Sequence, residues 1–327
     1  MEVIRLKKFA LALSVLLCVW GVNSLYASTA SAEEKQREDY TFGEIEKTLI
    51  DYLDENGYNL EIGTPEFNDF VTEQMNTDKD EKLANREDYQ LICAYFAEYL
   101  YRLSVFESDS TDTENDAEDL PVDEDFNMDE FENTTLGEMK EEIEEEEQKN
   151  EEENSQIFTT MSTNTLNLSN ARAYAKKYYA NYNPNYPRYS NDCTNFVSQI
   201  LQAGGRRQVV KQTTASLVSD NKYWFIRSLP SYKWSRSASW TVVPDLYSHL
   251  TRTQGAYSST SKSNIIKNAK SGDVIQFKKS GADRYTHSMW IYEKTSTDLK
   301  LAGHTNNYWN RSFNAVTGYK TYRIVKM

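Results

Sequence analysis

"SNDCTNFVSQILQAGG", Ser190 to Gly205, sets a cysteine directly after an Asn-Asp pair, then runs Phe196, Val197, Ile200 and Leu201 at helical spacing. Gly204 and Gly205 stop the run as a natural C-cap pair. The spacing predicts a helix over Asp192 to Ala203, with Asn191 or Asp192 as its cap and Cys193 in its first turn. There the unsatisfied N–H groups and the helix macrodipole favour a thiolate, the reactive form of cysteine.

Working outward, "LSNARAYAKKYYANYNP" from Leu168 reads as an amphipathic helix closed by Asn183-Pro184. "TVVPDLYSHLTRTQG" from Thr241 reads as another, with proline in its first turn. Strand-like runs follow at Val274 to Lys278, Ser288 to Glu293, Leu299 to His304 and Tyr322 to Met327. Helices first and strands afterwards imply an α+β domain with an antiparallel sheet, over 158–327.

The rest of the chain divides by composition. Arg5, Lys7 and Lys8 precede an apolar run of 14 residues, Phe9 to Val22, and "ASTASA" ends at Ala32. That is the pattern of a cleaved signal peptide over 1–32, and the run is shorter than the roughly 20 residues that span a bilayer. Leu17 is too large to make Cys18 a lipoprotein attachment site. The mature chain is therefore expected outside the cell or in the cell wall, with no transmembrane anchor. Residues 33–106 read as a small helical region, with a capping box "TFGE" at Thr41 and a Thr64-Pro65 helix start. A third helix is expected from about Arg86 to Val105. Asn76 to Glu87 echoes a calcium loop, but Glu81 stands where the turn wants glycine, so a solvated acidic linker is the preferred reading.

Residues 107–157 hold 23 acidic residues and two lysines, which is expected to be a disordered acidic arm with at most a transient helix near Leu136 to Lys149. From Met161 onward the balance reverses, with 24 Lys+Arg against 7 Asp+Glu. The two halves should meet different partners or each other, so the arm is expected either to contact the basic domain within the chain or to act as a solvated spacer that carries that domain through the wall. The basic domain suits an anionic polymer or a peptide substrate. Export and a dispersed charge pattern argue against nucleic acid.

A thiol that attacks a carbonyl needs a base, and a third group to hold that base. The chain has three histidines, all in the basic domain. His287 opens the strand "HSMWIYE", and His304 ends the next one, "LKLAGHTNN". Pairing those strands would put His304 or Asn306 where either orients His287. His249, on the helix after Pro244, has a surface or packing role. A zinc site from Cys193, His287 and His304 is the rival chemistry, but it lacks CxxC or HxxxH spacing. No metal or cofactor is expected. Cys93 and Cys193 invite a disulfide in an exported chain, which would abolish any chemistry at Cys193.

Asp192 to Gln199, Ser237 to Trp240, Gly272 to Phe277, His287 to Ile291 and Ala302 to Arg311 together resemble, in order, the putative amidase domain family of secreted Gram-positive proteins. The resemblance covers roughly 168–326. It implies a papain-like fold related to the CHAP cell-wall hydrolases, with N-terminal helices packed on an antiparallel sheet. It implies Cys193 as nucleophile, His287 as base and His304 as third member, with Asn306 in reserve; Asp192 and Asn306 are the candidates for orienting or oxyanion support. Asn191 departs from the family's usual glycine. The function implied is hydrolysis of an amide bond, with cell-wall peptidoglycan as the expected substrate. Acyl transfer through the same thioester, and a catalytically silent basic binding module, are the alternatives.

Overall fold

A computed structural model describes residues 35–106, 128–157, 166–230 and 233–327 of the chain. The signal-peptide reading over 1–32 and the first part of the acidic arm, 107–127, lie outside the described residues.

A 3-10 turn, Arg37–Asp39, leads into α1 (Phe42–Glu55), where Thr41 and Glu44 form the expected capping box. α2 (Pro65–Thr77) starts at Thr64, whose hydroxyl accepts from Phe67 N–H. α3 (Glu81–Ala84) and α4 (Tyr89–Phe106) complete the expected helical region. The acids of the loop between α2 and α3 have protein partners. Asp80 accepts from Tyr52 and Tyr58 hydroxyls at 2.7 and 2.9 Å, and Asp78 pairs with Lys279 at 2.6 Å.

α5 (Met128–Asn133) and α6 (Leu136–Ile157) fall in the segment expected to be disordered. Leu136, Met139 and Ile143 of α6 are buried with the helices of the N-terminal region. Beyond Ile143 the inward positions of α6 are polar and are met by polar groups. Glu146 and Glu147 reach Arg284 and Arg323 at 3.0 and 3.5 Å, and Asn154 donates to the Ser248 carbonyl at 3.2 Å. The composition argument failed because Glu146 and Glu147, though solvent-exposed, reach buried arginines far along the chain. α6 also has a start signal of its own: Thr135 and Glu138 repeat the reciprocal cap of Thr41 and Glu44. The two starts pair across an isolated bridge between Thr41 and Thr135.

In the second half come α7 (Leu168–Tyr178), α8 (Cys193–Ala203), β1 (Leu217–Val218), β2 (Ile226–Ser228), β3 (Trp234–Ser237), α9 (Ala238–Thr241) and α10 (Val243–Thr251). Then follow β4 (Ala256–Ser259), α11 (Lys262–Asn268), β5 (Val274–Lys279), β6 (His287–Lys294), β7 (Leu299–Gly303), β8 (Tyr308–Ser312) and β9 (Tyr319–Val325). The main sheet is antiparallel, in the order β4-β9-β5-β6-β7-β8. A small sheet, β1-β3-β2, is mixed, its β1/β3 pair being parallel. This is the expected α+β class. All four expected strands lie in the main sheet, while β4 and β8, at its edges, were not foreseen.

The pleat divides the core. Val274, Trp290 and Ala302 face α8 and pack with Phe196, Val197, Ile200 and Leu201. Ile275, Phe277, Met289 and Ile291 face the other way, with Ile265 and Ile266 of α11. Successive side chains of a strand point to opposite faces, so Ser288 of β6 looks toward α8 and its neighbour His287 toward the Phe277 side.

Candidate active site

Cys193 is the first residue of α8, as expected, but Asp192 makes no capping bond. Its carboxylate turns elsewhere: Oδ1 accepts from Tyr189 N–H at 3.1 Å and Asn195 Nδ2 at 2.8 Å, and Oδ2 lies 2.5 Å from His304 Nδ1. A carboxylate so engaged fixes the loop before α8; it offers no donor to an oxyanion.

The Cys193 thiol is fully buried, against Val243 and Tyr285. Its S–H donates to Asn191 Oδ1 at 3.4 Å, and the Ser288 backbone N–H is directed at the sulfur. The helix start was expected to favour a thiolate. Burial instead pushes the thiol up to about 11, outweighing the Ser288 N–H and Thr194, which work in the opposite direction. Cys93 and Cys193 are both free and buried, so the disulfide reading is corrected.

His287 sits at the mouth of β6, in register with Phe277. Its ring lies 5.7 Å from that of Phe277 and 6.5 Å from that of Tyr319, nearly parallel to the latter. Burial first, and Arg311 second, push its imidazole down to about 3, so it is neutral; its buried Nδ1 has no partner. The structure brings Cys193 to the mouth of β6 through Ser288, whose hydroxyl accepts from Thr194 at 3.1 Å, one residue from His287. It draws no hydrogen bond between Cys193 and His287. Tyr319 stands near both: its ring stacks on His287, and its phenol is raised by burial and by Cys193.

His304 is not placed to orient His287. Its Nδ1 faces Asp192, its Nε2 lies 2.8 Å from the Tyr178 carbonyl, and its ring stacks on Phe196 at 3.7 Å. Both ring nitrogens are thus engaged by groups on the α8 side of the sheet, and neither is free to reach His287. The strand geometry explains it: His304 follows the end of β7 on the α8 face, while His287 looks to the other. Asn306 is exposed in a loop where Thr305, Asn306 and Asn307 all have positive φ, and it lines a cavity of about 600 Å³ with Tyr182, Arg188 and Ser190. His249 takes the packing role, its Nδ1 2.9 Å from the Asn221 carbonyl and its ring over Trp224. Among the described residues no group of three or more His, Cys, Asp or Glu is placed to hold a metal.

Sequence reasoning missed Asn191, Tyr285 and Tyr319. Asn191 alone left a signal, as the departure beside the Asp-Cys pair. Its amide joins the thiol to α4, accepting from Cys193 and donating to Ser104 Oγ at 3.2 Å.

Residues 165–326 match the family described as "Putative amidase domain", which covers just under half of the chain. The chain is also similar to the protein named "Uncharacterized protein YhbB" of Bacillus subtilis (strain 168), 29% identical over 131 residues. That match covers 39% of this chain and 37% of the relative, so the chain spans little more than a third of that protein's length. No solved structure matches.

Proposed function

We propose that the chain is an exported cysteine amidase of papain-like type that cleaves an amide bond, with cell-wall peptidoglycan as the substrate. The observation that carries the reading is Cys193 at the start of α8, held by the Ser288 backbone at the strand mouth that bears His287. The family match supports amide hydrolysis as the reaction class.

In the proposed reaction His287 takes the Cys193 proton as sulfur attacks the carbonyl carbon. The protonated His287 then gives that proton to the departing amine, leaving a thioester. Water, deprotonated by the same imidazole, hydrolyses the thioester and frees the thiol. Asp192 and His304 fix the loop that presents Cys193 and stay outside the proton transfers.

The test is digestion of purified peptidoglycan by the full chain and by its Glu146→Lys/Glu147→Lys variant, with mass spectrometry of the products. New amine and carboxylate ends, absent with Cys193→Ala, are expected. The same products with and without the cysteine would end the reading.

A further inference from the structure

Three elements of the first half of the chain pack on residues of the Cys193-bearing half. From α4, Ser104 accepts from Asn191, and its carbonyl accepts from Arg236 at 3.1 Å. From the end of α2, Asn76 accepts from the Tyr319 hydroxyl at 2.6 Å, and the Gln74 and Met75 carbonyls accept from Lys279, each at 3.2 Å. The third element is α6, through Glu146 and Glu147.

The third element differs from the others in what lies beneath it. A cavity of about 200 Å³ separates α6 from a floor that includes Tyr247, Lys278, Arg284, Tyr285 and Arg323. Tyr285 shares the small buried cluster of Cys193 with Val243, and the Arg323 guanidinium lies 3.8 Å from the Tyr285 ring and 3.7 Å from that of Tyr247. The floor therefore runs from the cationic groups to Tyr285, which belongs to the buried cluster of the thiol. Its arginines are built in: the side chains of Arg284 and Arg323 are 6% and 4% exposed, whereas Glu146 and Glu147 above them are 54% and 53% exposed. Arg284 has a buried partner in Glu98 at 2.8 Å. Arg323 has none of that kind. Its Nε donates to the Gln276 amide, Nη1 reaches Glu147 at 3.5 Å, and Nη2 is buried with no partner. A buried guanidinium with an unused donor is costly unless an anion comes to it.

We infer that this groove binds the carboxylates of an acidic peptide on the way to Cys193, and that Glu146 and Glu147 of α6 occupy it as a tethered stand-in which keeps the site closed. The inference rests on the amidase reading for the chemistry at Cys193, but not for the binding or the closure. A helix offering two carboxylates to a groove whose floor shares Tyr285 with the buried cluster of a nucleophile resembles a bound acidic peptide, not a spacer. Tethering gives those carboxylates an effective concentration on the order of millimolar, so two individually weak contacts suffice to hold the groove shut against dilute competitors.

The experiment uses the full chain and two pairs of substitutions on α6. Glu146→Lys/Glu147→Lys reverses the groove-facing charges. Glu144→Lys/Glu145→Lys makes the same charge change at exposed residues that make no contact with the groove arginines. Iodoacetamide alkylation of Cys193 is timed by peptide mass spectrometry with Cys93 as an internal reference. Binding of a fluorescent Glu-rich decapeptide, and of a polyphosphate of equal charge, is followed by anisotropy. The first pair is expected to raise Cys193 alkylation about tenfold or more with Cys93 unchanged, and to bind the decapeptide at least tenfold better than the unaltered chain. The second pair should do neither, and Glu146→Gln/Glu147→Gln should fall between them. An unchanged Cys193 rate, or Cys93 rising in step as in global unfolding, overturns the closure. Binding of polyphosphate without the decapeptide overturns the assignment to an acidic peptide. If the site opens and binds the peptide yet no amide is cut, the inference stands and the amidase reading falls.

Discussion

His304→Ala separates a structural histidine from a catalytic one. The substitution removes the 2.5 Å contact to Asp192, the 2.8 Å bond to the Tyr178 carbonyl and the stack on Phe196 at 3.7 Å. Asp192 is 1% exposed and would be left with the Tyr189 N–H and Asn195 amide alone. Deleting a buried ring together with its hydrogen bonds costs about 3–5 kcal/mol, from the lost packing and the polar partners left unsatisfied. With a urea slope of about 2 kcal/mol/M, the unfolding midpoint should fall by about 1.5–2.5 M. Urea titration followed by tryptophan fluorescence reads this directly, since Trp224, Trp240 and Trp290 are fully buried in the core shared with Phe196. Adding Asp192→Asn should recover part of the loss, as coupled partners do in a double-mutant cycle. A midpoint shift below about 0.5 M, alongside abolished amide cleavage, would refute the reasoning and return His304 to the catalytic set.

Cys193→Ala should abolish amide cleavage with an unchanged urea midpoint, and residual cleavage at the original rate would remove the nucleophile. His287→Ala should lower kcat by about 10²–10⁴-fold, the range for a lost general base, measured under conditions where the variant is folded. Asn191→Gly removes the link to Ser104 and should raise Cys193 alkylation several-fold; an unchanged rate would show that α4 does not help close the site. Stability should fall on acidification. His249 and His287 are held neutral, each pushed down to about 3 from an ordinary value of 6.5. The unfolded chain takes up those protons first, so their contribution is fully present above pH 6.5 and is lost as pH falls toward 3. Between pH 7 and pH 5 each histidine should account for about 2 kcal/mol of loss. Asp245, pushed up to about 7 by burial, works in the opposite direction, and His249→Asn should remove about 2 kcal/mol of the loss in urea titrations.

The sequence by itself determined the local elements. Thr41 and Glu44, Thr64 and Pro65, and the Gly204-Gly205 stop act within a few residues of themselves, so helix starts and ends were legible where their side chains stand. The short apolar runs in Val274 to Phe277 and Met289 to Ile291 set the strands and the α+β class for the same reason. Edge strands β4 and β8 escaped because a strand flanked on one side carries only a weak pattern: residues 308–312 have no fully buried position.

Tertiary structure decided the rest. α6 repeats the cap signal of α1 at Thr135 and Glu138, but its glutamates argue for disorder until Arg284 and Arg323, more than a hundred residues away in sequence, supply their partners. Spacing brought Cys193 to the mouth of β6, yet it could not say which face of the sheet each histidine looks toward. Strand register sends His287 to the Phe277 side and chain direction after β7 sends His304 to Asp192. The thiol shows the division most plainly. Its place at a helix start is local and favours a thiolate, whereas its burial beneath residues from distant elements is global, and the cost of desolvating a charge is the larger effect.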